Sequence, residues 1–256
     1  MDPTLSKVDL PNQSNEHFVH LISNLLSPSE CKQIIEDNEE SLISTSGAYS
    51  KRLRHMYLDY NLVDVLWSRL EPFYGTDRVV DEEGRAWTAT SLNPFLRFCK
   101  YTPGNDFGPH QDGRRMMNVD EQSFMTVNIY LTTVPVAHGG ATRVLERSQE
   151  GDNKHKVIGV MQPVEGMASV FRDSLFHDGE RLEEGVKYLL RTDVIYQRET
   201  PFSFEAMYGG LSAHEKAAKA LNLAERLEDG GSRDDAVMWY RKAFKLNPEL
   251  ESRGEE

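Results

Sequence analysis

Between Ala86 and Tyr196 the chain breaks into short runs of β-branched, aromatic and aliphatic residues, separated by Gly, Pro and Asp. The runs are Leu96–Tyr101, Phe124–Thr132, Thr142–Leu145, Val157–Val160, Ala168–Arg172 and Lys187–Tyr196. Several short strands with a turn signal at each break suggest a sandwich or a barrel. Helical patterns flank this stretch on both sides. Upstream, Ser27 precedes Pro28, with Glu30 three residues after the serine, which is a capping box with proline at the first helical position. The helix should run through Cys31, Ile34 and Ile35 to about Glu39, with a strand starting near Phe18 before it. Leu62, Val65, Leu66 and Leu70 recur at helical spacing, so a second helix is expected over Asn61–Phe73. Residues 41–54 read as a polar, basic loop, and 75–84 as a charged turn. Downstream, 198–210 reads as a linker with aromatics, and the helical period returns from Leu211 to Leu246. The fold class is therefore α+β, with helices, then a β unit, then a helical appendage.

The 256 residues suit one domain plus a small appendage, and a chain of this length buries roughly three quarters of its extended surface without covalent staples. At 39% hydrophobic and 27% charged, the mix excludes a collagen-like repeat, a coiled coil and disorder throughout. The 29 Lys and Arg against 41 Asp and Glu leave a formal net charge of −12, which disfavours a phosphate-backbone partner. Arg114, Arg115, Arg143, Arg147, Lys154 and Lys156 could form a local basic patch, and a solvated face is the preferred reading of them. Two cysteines, Cys31 and Cys99, are too few for a disulfide framework and read as reduced thiols. Residues 1–16 read as a polar tail without the apolar core of a secretory signal. No apolar run is long enough to span a membrane. The expected location is the cytoplasm or the nucleus.

The β unit holds the chemistry. His110 and Asp112 form an HxD pair, and His177 stands at the edge of a later strand-like run. Two imidazoles and one carboxylate are the facial triad of non-haem Fe(II) oxygenases, which leaves cis positions open for a cosubstrate and O₂. Alternation along a strand places residues i and i+2 on one face, so His110 and Asp112 can reach the same ion. An HxD alone is a weak signal in a chain with eight histidines. Lys187 follows ten residues after His177, where a cation can pair the far carboxylate of a chelated dicarboxylate. Arg191 lies on the same strand face and is the rival for that role. His17, His20, His55, His138, His155 and His214 are assigned no ligand role.

Residues 97–197 resemble the 2-oxoglutarate/Fe(II)-dependent dioxygenase superfamily, in particular its prolyl 4-hydroxylase-like branch. The resemblance rests on RFCKYTPGNDFGPHQD, on FMTVNIYLTTV followed by GGATRV, and on VEGMASVFRDSLFHDGERLEEGVKYLLRTDV; HFVHLISNLLSPSECKQII extends it to about 17–198. It implies a double-stranded β-helix, or jelly roll, over 17–200. It implies His110, Asp112 and His177 as ligands of Fe(II), and Lys187 as partner of the distal 2-oxoglutarate carboxylate. Tyr101 matches an aromatic whose hydroxyl lies near the cosubstrate, and Tyr130 or Thr126 adds another. The implied reaction hydroxylates a C–H bond with O₂ while 2-oxoglutarate becomes succinate and CO₂, with ascorbate as a candidate reductant. The substrate class left open is a protein residue such as proline, or a small molecule. Specificity is expected in loops 41–54, 74–85 and 113–122.

Residues 215–248, within the appendage 201–256, resemble a single tetratricopeptide repeat. Leu223, Ala224, Ala236, Tyr240, Ala243 and Pro248 fall in its pattern, whereas Ala220 and Leu227 depart from it. One such unit cannot bury its own faces, so it must pack on the barrel, self-associate or hold a protein partner through 211–248. That defines the alternative function, a catalytically silent barrel that docks through its helical hairpin. A third reading, a zinc hydrolase on the same His/Asp/His set, gives Lys187 no purpose.

Overall fold

The computed structural model describes residues 2–47, 50–147 and 155–250. The chain opens with β1 (Thr4–Lys7) and β2 (Val19–Ser23), antiparallel, with Leu5 opposite Ile22. Ser27 caps α1 (Pro28–Asn38) through the expected box: its hydroxyl accepts from the Glu30 amide, and the Glu30 carboxylate accepts from the Ser27 amide. A hairpin of β3 (Ile43–Gly47) and β4 (Ser50–Leu58) follows. Asp59 caps α2 (Tyr60–Tyr74), which buries Val63, Leu66 and Leu70.

The strands then come in quick succession: β5 (Arg78–Val80), β6 (Ala86–Leu92), β7 (Phe95–Tyr101), β8 (Phe107–His110), β9 (Met116–Asn118), β10 (Glu121–Tyr130) and β11 (Thr142–Glu146). After them come β12 (Lys156–Met161), β13 (Ala168–Arg172), β14 (His177–Gly179) and β15 (Lys187–Arg198). The chain ends in the short α3 (Phe204–Tyr208) and the hairpin of α4 (Ala213–Gly230) and α5 (Arg233–Leu246).

Contacts divide the chain into two compact units. The first comprises Met1–Thr76, Ser91–Gly113 and Phe124–Val194. Its strands follow the order β1-β2-β13-β10-β15-β7-β4-β8-β14-β11-β12, antiparallel at each pair of known register. The path rolls up: the Tyr130 hydroxyl on β10 donates to Thr142 Oγ1 on β11 at 3.0 Å, joining strands far apart in the order. Tyr130, Val144, Phe171 and Leu189 share one buried cluster between those strands. This is the expected jelly roll.

The second unit comprises Asp77–Thr90, Arg114–Ser123 and Ile195–Glu256. Small residues Ala220, Ala236 and Ala243 lie buried where α4 and α5 meet, and Met116 and Phe204 complete that core. The hairpin therefore covers its inner face with this unit's own residues. Gly230 lets α4 approach β9, since a Cβ there would lie 2.0 Å from the Met116 carbonyl oxygen.

Three expectations need correcting. Residues 1–16 contain β1, and Leu10 is buried against Gly159, where a Cβ would come within 2.4 Å of the leucine. The polar surroundings hid that anchor. Residues 41–54 include β3 and the first part of β4 rather than a loop, because β4 pairs with β3 on one side and with β7 along Leu53–Leu58 on the other. The turn 75–84 includes β5, paired with β6.

Gly166 ties the connection between β2 and α1 to β10. Its carbonyl accepts from Leu26, its amide donates to Tyr130, its φ is +77°, and an added Cβ would sit 2.2 Å from the Leu26 carbonyl oxygen. That neighbour is backbone and cannot rotate away. Gly166→Ala is expected to cost at least about 2 kcal/mol of stability, or several degrees in Tm, measured by urea and thermal unfolding.

Candidate metal and cosubstrate site

Strand pairing brings the three candidate ligands together. His177 at the start of β14 stands directly opposite His110 at the end of β8, and their ring centroids are 4.3 Å apart. Asp112, two residues on, shares the His110 face, and its amide donates to the Asp173 carbonyl at 3.1 Å. The Asp112 carboxylate lies 3.6 Å from His110 Nε2 and 3.7 Å from His177 Nε2. One donor atom from each residue falls within 4.8 Å of the other two, and among the described residues no other such group occurs.

The ring nitrogens are assigned by their far partners. His110 Nδ1 donates to the Gly108 carbonyl at 2.8 Å, and His177 Nδ1 donates to the Leu175 carbonyl at 2.9 Å. Both Nε2 lone pairs are thereby turned inward, the arrangement that metal-binding histidines require. His110 Nε2 is buried and has no hydrogen-bond partner. An orphaned buried acceptor beside a carboxylate and a second imidazole fits a divalent ion of the iron type.

Asp112 is the most constrained member. Burial alone would raise its pKa. The Arg191 charge, the contacts with His110 and His177, and the Thr126 hydroxyl outweigh that and hold the carboxyl well below the usual carboxylate range. Arg191 Nη1 lies 2.5 Å from Oδ1, and Thr126 Oγ1 donates to Oδ2 at 2.6 Å. Arg191 also reaches Asp193 at 3.3 Å. Burial lowers the His177 pKa, only partly countered by Asp112, which keeps that imidazole neutral and able to coordinate.

A small cavity opens beside the triad. Cross-strand register explains its lining: Lys187, Leu189 and Arg191 on β15 face the same way as their partners Tyr101, Cys99 and Arg97 on β7. Arg52 of β4 adds a guanidinium that donates to the Tyr101 hydroxyl at 3.1 Å and lies 4.1 Å from the Phe107 ring centroid. Asn128 contributes a buried side-chain oxygen without a partner. Four cations thus face one lining carboxylate, Asp178, which Arg143 holds in a bidentate pair at 2.6 and 2.9 Å.

Lys187 is 3% exposed, and its ammonium donates to the Gly140 carbonyl at 2.7 Å. Gly139 and Gly140 both have positive φ, +69° and +72°, which turns that carbonyl inward. The ammonium lies 5.0 Å from the Tyr101 ring centroid and 5.8 Å from that of Tyr130. Burial lowers its pKa to about 8.

All the sequence-predicted site residues therefore meet in the first unit, in different roles. Arg191 is held by carboxylates, while Lys187 has only a neutral acceptor. Thr126 serves Asp112 directly. The Tyr130 hydroxyl is shared between Thr142 and Ser169, at 3.0 and 3.1 Å. Arg52 escaped sequence reasoning because its hairpin was read as a loop. Asn128, two residues from both Thr126 and Tyr130, was legible from alternation. Among the remaining histidines, His20 bonds Tyr74, His138 pairs with Glu184 and His214 bonds Asn247. The basic patch is not one surface: Arg143 is committed to Asp178, Arg114 to Glu82 and Lys156 to Glu146, and Lys154 lies outside the described residues.

Two histidines and a carboxylate around one point in a jelly roll are the donor arrangement that non-haem Fe(II) oxygenases use. Residues 96–192, the segment that holds the triad, Lys187 and Arg191, match the model of the 2OG-Fe(II) oxygenase superfamily. No curated protein matches the sequence. Among solved structures, a viral collagen prolyl hydroxylase from Paramecium Bursaria Chlorella virus-1 in its 2OG complex is 17% identical, covering 70% of this chain and 96% of its own, with a TM-score of 0.45. A Pseudomonas putida prolyl-4-hydroxylase is 15% identical, over 71% of this chain and 93% of its own, with a TM-score of 0.47. HygX from Streptomyces hygroscopicus with nickel, 2-oxoglutarate and hygromycin B is 13% identical, over 71% and 83%, with a TM-score of 0.45.

Co(II) titration serves as a metal-binding probe independent of turnover. His177→Ala and Asp112→Ala are expected to abolish the absorption of the bound ion. Thr126→Val, which removes only the hydroxyl bonded to Asp112, should weaken binding by about 10- to 100-fold.

Proposed function

We propose that this chain is an Fe(II)- and 2-oxoglutarate-dependent dioxygenase that hydroxylates a C–H bond and releases succinate and CO₂. The observation that carries the proposal is the joint placement of a complete triad, with His110 Nε2 unpartnered, and a buried Lys187 facing the same cavity. His110, Asp112 and His177 would hold the iron. Bound Fe(II) would supply O₂ activation at the expense of the keto acid. Lys187 would pair the far carboxylate of 2-oxoglutarate, with Arg52 and the Tyr101 hydroxyl completing the polar wall. Arg191 would act as a positioning residue, fixing Asp112 rather than touching the cosubstrate.

The substrate would enter through an open cleft on the same unit. Its walls include Phe107 and Pro109 on the His110 side, Val136 and Gly139, and Arg143 with Glu180 next to the His177 strand. Residues 136–139 and 180–183 thus join the specificity regions inferred from sequence. A peptidyl proline is the proposed target closest to the family resemblance, and a small molecule is the other. The intact triad counts against a catalytically silent barrel.

Anaerobic addition of Fe(II) and 2-oxoglutarate should give the visible charge-transfer band of an iron-bound keto acid. The band should vanish in His177→Ala and weaken in Lys187→Ala. Folded, metal-replete protein without the band would sink the proposal.

The affinity for 2-oxoglutarate should also fall as pH rises through about 8. The Lys187 ammonium loses its proton there, and a neutral amine no longer pairs a carboxylate. Lys187→Arg, which stays charged, should flatten the profile. An unchanged slope in that variant would remove Lys187 from the role.

A further inference from the structure

The second unit has a cavity of its own, in which the residues use neither a metal nor a keto acid. Its wall combines Arg85, Arg198, Lys219 and Arg226 with Trp87 and Phe202. In a chain of net charge −12, four cations gather here around one lining carboxylate, Glu83. Arg85 takes that carboxylate at 2.5 Å and Asp81 at 2.6 Å. The other three are less well matched.

Arg226 is half-buried, and its guanidinium donates to the side-chain oxygen of Gln122 at 2.6 Å, a neutral partner. Among the described residues no carboxylate approaches it within 4 Å. Burial, followed by the like charges of Arg114 and Arg85, pushes its pKa below the usual guanidinium range despite Glu82 and Glu83. Lys219 likewise has no carboxylate within reach among the described residues, and its ammonium sits 5.5 Å from the Tyr208 ring centroid. The side chain of Arg198 is 6% exposed. It stacks at 4.4 Å on Trp87, and its Nη2 donates to the Val119 carbonyl at 3.2 Å. Its Nε makes no hydrogen bond, with Asp120 the nearest carboxylate at 3.4 Å.

Lys219, Asn222 and Arg226 recur at helical spacing on one face of α4, while Arg198 comes from β15. Donors therefore converge from two elements. Withdrawing cations from water against neutral acceptors is costly unless an anion completes the set. A planar carboxylate is satisfied by one guanidinium edge, whereas a tetrahedral dianion offers oxygens in several directions.

We propose that this cavity binds a small doubly charged oxyanion, inorganic phosphate or a phosphomonoester, between Arg198 and the Lys219–Arg226 face of α4. The site is independent of the oxygenase reading and stands or falls separately.

The test uses the full chain with metal removed by EDTA. Inorganic phosphate is titrated against sodium chloride at matched ionic strength, with thermal unfolding and calorimetry as readouts. Phosphate should raise Tm beyond the chloride control. Arg226→Gln and Lys219→Met should each raise the phosphate Kd at least about tenfold, a loss of about 1.4 kcal/mol. Lys219 is exposed, so its replacement leaves the fold intact even where Arg226→Gln does not. Lys187→Ala should leave the titration unchanged. Phenyl phosphate binding more tightly than inorganic phosphate would identify a phosphomonoester ligand, and equal binding would identify free phosphate. The proposal is overturned by the absence of a shift beyond chloride, by an unchanged Kd in Lys219→Met, by loss of binding in Lys187→Ala, or by acetate binding as well as phosphate.

Discussion

The Asp112 carboxylate organises the first unit. A buried anion is tolerated only where cations and donors surround it, and here two imidazoles, the Arg191 guanidinium and the Thr126 hydroxyl do so. Each comes from a different strand, or from the end of one: β8, β14, β15 and β10. Their convergence fixes the registers. A one-residue slip of β15 would point Arg191 away from Asp112 and Lys187 away from the cavity. The site and the jelly roll are thus specified by the same pairings. A metal ion would strengthen the set rather than create it, because Arg191 already balances the carboxylate.

Much of the fold was legible where the signal is local. The Ser27–Pro28–Glu30 cap marks α1 to within a residue, and the alternation in Ala168–Arg172 marks β13 with its observed limits. Signals failed where pairing is decided by distant partners. The strand Phe107–His110 contains Gly and Pro and carries no strand signature, yet β14 holds it in place through the His110–His177 register. The β3–β4 hairpin reads as polar, and one of its basic residues, Arg52, lines the cavity beside the triad. In the second unit, 77–90 and 114–123 join the helical hairpin although they are far from it in sequence. Met116 and Val119 in that core carry no mark of it in their local pattern.

The clustering of His110, Asp112 and His177 was readable because metal chemistry restricts residue types. The partition between Lys187 and Arg191 was not, because both lie on one face of β15 four residues apart. Only the third dimension shows that Arg191 is engaged by Asp112 and Asp193.

Leaving Lys187 against a neutral carbonyl has an energetic consequence. Its folded pKa of about 8 lies below the ordinary value of 10.5. Below about pH 8 the lysine is charged in both the folded and unfolded chains, so the burial cost is fully present. The cost is relieved as pH rises from about 8 toward 10.5, where the unfolded chain binds more protons and stability increases with pH. A fold selected for stability alone would place an uncharged side chain opposite Tyr101. Under the proposed function, a ligand carboxylate would restore the missing countercharge. The same reasoning applies to Arg226 in the second unit, where the donors differ but the unmet requirement is also an anion.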